Sequence, residues 1–254
     1  MHIEMRPIQP IDVEAELNAL AQRYRGAGGV GMAVLNHLGG QAEGLLGRLP
    51  APLRDRLDGA TERALLLALR ASHSAQQVVG PQPRWLNTAL STVMGAAGGF
   101  GGLPSAMAEL PVTTCVILGA IQGVAVEQGF DPRAENVQFD CLRVLASAGP
   151  LAHDDGSDLA FIATRLTLTG PTVQRLVASV APRFAAALGQ KLAAQTVPVL
   201  GAVAGAATNY AYTSYYQEMA HVHFGLRRLA IEADIPHAQL IEALRKHVAP
   251  PPAT

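Results

Sequence analysis

From Trp85 to Val126 the chain carries one charged side chain, Glu109, and from Leu192 to Gln217 it carries none. Runs this long and this poor in charge are not built to face water, so they belong in a core, against another protein or against lipid. Within and around them, apolar residues recur at three and four positions and seldom alternate, a helical period. We expect an all-α chain: a multi-helix globular bundle of about eight to ten helices, two of whose segments are rich in Gly and Ala and low in charge.

Local signals place several of these helices. Pro10 and Asp12 open a first one through Ala15, Leu17, Leu20 and Tyr24, which Gly26, Gly28 and Gly29 then break or bend. An apolar segment follows from Val30 to about Leu46. Pro50 and Pro52 start a third helix, along which Leu53, Leu57, Ala60, Ala64, Leu67 and Ala71 form one apolar face. Pro111 suits a first helical position and Gly129 a C-terminal cap, giving a buried helix between them. Asp131-Pro132 opens the next as cap and first turn, to about Ser147. His153 to Asp158 reads as an acidic loop, and 159–168 and 171–188 as two more helices. Gly201 and Gly205, four apart, allow close packing in a long helix that continues past His221 to Glu232. Pro236 starts a last short helix, and Pro250 to Pro252 end the ordered chain.

Gly80-Pro81-Gln82-Pro83 is the clearest linker. It divides a charged helical region, residues 1–80, from a helical core at 84–249, the two packed as one domain. With 254 residues the chain can bury a large core without disulfides or metals.

Only 15% of residues are charged, against about 25% in an ordinary soluble chain, and the net charge is −1. There is no basic patch, which argues against nucleic acid as a partner. About 20 apolar residues suffice to span a bilayer. However, the second run contains Gln195, Asn209, Thr213, Gln217 and four tyrosines, Val112 to Val126 is short for a span, and neither run is flanked by an excess of Lys and Arg. Contact with a membrane surface or burial in a core fits better than a span. Cys115 and Cys141 sit in apolar surroundings as two buried thiols, and Met1 to Glu16 lacks the apolar run of a signal peptide, so a cytoplasmic location, with peripheral membrane contact, is the expectation.

Chemistry is thinly marked. Glu109 is a lone acid in apolar surroundings. It is either a base or ligand with a raised pKa or an anion at a helix N-terminus, where the macrodipole favours it. Lys191, before the second run, is a second catalytic candidate or simply a solvated segment end. Glu218 and His221 share a helix face in the Glu-x-x-His spacing of di-metal bundles and are the metal candidates, but the second such motif is missing. His223, two residues on, points to the other side. Asn209 needs hydrogen bonds if buried, by default to a neighbouring helix. No cofactor-binding motif is present: Gly26 to Gly29 and Gly95 to Gly102 match no phosphate loop.

Two stretches resemble the EcsC family, bacterial proteins whose founding member is encoded beside an ABC transporter. The first holds Glu109-Leu110-Pro111, Ile121-Gln122-Gly123-Val124-Ala125 and Gly129-Phe130-Asp131, with Phe130 where the family shows Tyr. The second holds Lys191, Pro198 to Ala202, Gly205, Asn209, Ala220, Phe224 and Arg227. The resemblance implies a helical protein with a membrane-linked accessory role and no particular activity. Together these readings point to a cytoplasmic accessory protein contacting a membrane surface or a membrane transporter component. The alternatives are a metal-assisted hydrolase joining Glu109 to Glu218 and His221, and a carrier of an apolar ligand.

Overall fold

The computed structural model describes residues 11–27, 51–78, 102–146, 175–182, 184, 185, 188 and 201–248. For 51–55, 70–78, 102–110, 201–205, 207 and 208 it describes the backbone alone. Among the described residues there are seven helices and no strand, an all-α chain with fewer helices than the eight to ten expected. They are α1 (Val13–Gly26), α2 (Ala51–Val78), α3 (Gly102–Glu127), α4 (Glu135–Leu145), α5 (residues 175–182, with 184, 185 and 188), α6 (Gly201–Glu232) and α7 (His237–Val248).

The first helix starts where its cap predicts. Asp12 is extended and its carboxylate accepts a hydrogen bond from the Ala15 N–H at 3.0 Å. Glu14 and Glu16 then lie at the positive end of the helix and Arg23 and Arg25 at the negative end. The end of α3 is equally regular. Gly129 takes a φ of +83°, open to glycine at no steric penalty, while its N–H reaches the Val126 carbonyl and that of Phe130 reaches Ala125. At the end of α6 the corresponding left-handed residue is Asp234, with φ 53°, and Ile235 closes back on Ala230.

Two helix starts differ from expectation. Pro111 lies inside α3, nine residues after its start at Gly102. Pro104 is the proline of the first turn, where a missing N–H breaks no helical bond. Pro111 is carried in the interior despite its lost donor, a position that ordinarily kinks a helix. Asp131 caps a turn, not a helix: its carboxylate accepts from the Arg133 N–H at 2.9 Å, and α4 begins only after Ala134, which has no side-chain cap.

The long helix α6 is the spine. It packs against α1, α3, α4 and α7, while α2 lies along α3. Tyr212, Tyr216 and Phe224 of α6 are fully buried with Phe184 of α5, whose ring meets Tyr216 edge-on at 5.9 Å. Burial raises the Tyr212 hydroxyl pKa and keeps it neutral. Both cysteines are free: Cys141 is buried, Cys115 half-buried, and burial raises both thiols. The expectations for 30–46, Gly80 to Pro83, Gly95 to Gly101, 153–158, 159–168 and Pro250 to Pro252 lie outside the described residues.

Candidate functional site

Most residues of α6 that face its neighbours are apolar, but one stripe is not. Asn209, Thr213, Gln217 and His221 recur every four residues and are all buried. An i, i+4 series lies along one helix face, so these side chains form a polar seam in an otherwise apolar interior. On α3, Thr113, Thr114 and Gln122 are buried too, and the seam ends where His221 Nε2 lies 3.7 Å from Glu127 Oε2. Polar groups taken out of water at a helix interface favour the one register in which they are satisfied.

Glu218 shares the turn but not the partner: its carboxylate pairs with Arg23 of α1 at 2.8 Å. The Glu-x-x-His pair is therefore split between α1 and α3. Glu109 is farther still. At 1.5 Å of rise per residue, its backbone lies about 27 Å along α3 from Glu127, where His221 sits. It is also inside the helix, so its reading as an anion at a helix N-terminus does not hold. Metal bonds of about 2 Å leave these residues without a common ion. Among the described residues no group of three or more His, Cys, Asp or Glu side chains could hold a metal. Lys191 and the packing around Gly201 and Gly205 lie outside what is described; both glycines are helical.

Among the described residues a different constellation brings four ionisable side chains together. Asp140 of α4 is mostly buried and gathers Arg227 and His223 of α6 and Arg143 of its own helix. Arg227 hydrogen-bonds to its Oδ2, His223 Nε2 is 3.2 Å from Oδ1, and Arg143 stands 3.8 Å away. The Arg227 guanidinium also lies over the Phe130 ring, 4.6 Å from its centroid, and Phe130 stacks at a tilt on Phe224. Burial opposes ionisation of Asp140. The hydrogen bond and charge of His223 and the charges of Arg227 and Arg143 outweigh it and hold the carboxyl below its ordinary range. His223 is 2% exposed, closed off from any substrate in solution. The arrangement thus works as a clamp, fixing α4 and the Gly129-Phe130 turn to α6 from the side of α6 that carries His223.

His223 and His221, two residues apart on α6, reach different helices, as their spacing implies. Asp140 and Arg143 are not evident from sequence: their only local signal is an acid and a base three apart within an amphipathic helix, a pattern shared by many solvated faces.

The fold and its clamp define an all-helical protein organised around one long central helix, with its charged cluster serving to join helices. The EcsC protein family matches residues 83–229, more than half of the chain and a stretch containing Phe130, Asp140, Arg143, His223 and Arg227, and the chain belongs to that family. No curated protein and no solved structure matches the chain.

Proposed function

We propose that this EcsC protein is an accessory protein of the cytoplasmic side that docks, without crossing, on a membrane surface or on a membrane transporter component. The observation that carries the reading is the pair of exposed apolar side chains Leu67 and Val112, 51% and 46% exposed, on the neighbouring helices α2 and α3. They accompany a chain with only 15% charged residues. Large exposed apolar groups favour contact with lipid or protein. Among the described residues no helix is long and apolar enough to cross a membrane, which supports contact from one side. Two free cysteines fit a reducing compartment.

Co-sedimentation of the purified protein with vesicles of anionic and of neutral phospholipid tests the lipid half of this reading. Pelleting with either supports it. Recovery in the supernatant with both, together with no binding to detergent-solubilised transporter, overturns it.

A further inference from the structure

The helices α1 and α7 both lie outside the family match, and they close on each other beside α6. Leu17, Leu20 and Tyr24 of α1 and Leu240, Ile241 and Leu244 of α7 are all buried in the same apolar core. At the end of α7 the contact becomes polar and centres on His247. Its Nδ1 is 2.8 Å from the Ala243 carbonyl oxygen and its Nε2 is 2.8 Å from Glu14 Oε1. Arg25 Nη1 donates to the His247 carbonyl at 2.9 Å, tying the same turn to α1 a second time.

Both ring nitrogens of His247 therefore face acceptors. A neutral imidazole has one N–H and satisfies one of them, whereas the imidazolium donates to both. We propose that His247 is a proton-operated latch, holding the last turn of α7 on α1 when protonated and releasing it when neutral.

The surrounding charges are consistent with this. Glu14 and Arg25 of α1 act on His247 directly. Arg228 of α6 is turned to Glu16 and Glu232, and on α7 itself Arg245 pairs with Glu242, while Lys246 is exposed. The Ala243 carbonyl and the Glu14 carboxylate raise the His247 pKa above its ordinary 6.5, against smaller opposing effects of desolvation and of Arg25. A raised folded value means that the latch is fully closed below 6.5 and is lost as pH rises through the folded value. An exposed ion pair is weak beside buried leucines, so release frays the last turn and leaves the rest of α7 seated.

The test is a histidine NMR titration of the full chain, with amide hydrogen exchange of Arg245 to Val248 over the same pH range, each rate divided by its unfolded-peptide rate. The expected result is a His247 midpoint above 6.5 and a fall of about threefold in protection through that midpoint. In Glu14→Gln the midpoint should fall, though the Ala243 carbonyl still raises it, and the pH-dependent change in protection should be lost; in His247→Gln protection should be low at every pH. A midpoint at or below 6.5, protection that ignores a raised midpoint, or an unchanged profile in Glu14→Gln would each overturn the latch.

Discussion

A Cβ added to Gly225 of α6 would lie 2.6 Å from Leu20 Cδ2 of α1, closer than two carbon atoms can stand. The missing side chain is what lets α1 reach α6 at this level, between the ion pairs Arg23–Glu218 and Arg228–Glu16. Gly225→Ala should therefore force the buried Leu20 aside. Overpacking of about 1–3 kcal/mol outweighs the roughly 1 kcal/mol that alanine contributes to a helix interior, so the net change is destabilising by about 1 kcal/mol. In a Leu20→Ala background the clash is gone and the same substitution should stabilise. Urea unfolding of the four proteins in the cycle reads the sign change, and a Gly225→Ala effect of one sign in both backgrounds would refute the close contact.

The two left-handed helix ends should respond in opposite directions. Gly129→Ala places a Cβ at a φ of +83° and should destabilise by about 1 kcal/mol. Asp234 already has a side chain at φ 53°, so Asp234→Gly should gain a few tenths up to about 1 kcal/mol. Thermal unfolding followed by circular dichroism would show Tm falling for the first and rising for the second.

Much of this architecture was legible because it depends on local chemistry. Asp12 as a cap, Gly129 after a helix and Pro236 before one are each decided within a few residues of the chain. Pro111 misled because a proline in the interior and one at a first turn look alike in sequence, and a second proline, Pro104, takes the earlier position. Glu109 drew attention by being alone, yet helix length separates it from His221. The Asp140 cluster was hidden for the opposite reason: its members sit 87 positions apart, as with Asp140 and Arg227, and only the packing of α4 on α6 brings them together. The polar seam could have been found, since Asn209, Thr213, Gln217 and His221 carry their four-residue spacing openly.

Removing the carboxylate of Asp140 should be among the most damaging single changes in the described core. Asp140→Asn leaves the part-buried Arg227 and Arg143 and the fully buried His223 without their anion, a loss of about 3–5 kcal/mol for a buried pair broken on one side. The pH dependence follows from the lowered pKa. A carboxylate whose folded value lies below its ordinary 3.8 stabilises the protein above 3.8, and that contribution is lost as pH falls through the folded value. Wild type should lose stability on acidification through this window, and Asp140→Asn should lose less over the same range. Parallel acid titrations of the two proteins would rule the clamp out if their slopes coincided.

If Leu67 and Val112 form part of a docking face, charging them should separate docking from folding. Both side chains are about half exposed, so Leu67→Glu and Val112→Glu remove little buried area and should change stability by no more than about 0.5 kcal/mol. A carboxylate brought against acyl chains or an apolar partner surface is far less welcome, because it must shed water without a compensating charge. The double variant should keep the wild-type Tm and lose most of its pelleting with vesicles. Alanine at the same two positions should give an intermediate loss, since it removes apolar area without adding charge. A double Glu variant that folds normally and pellets like wild type would move the docking face away from α2 and α3.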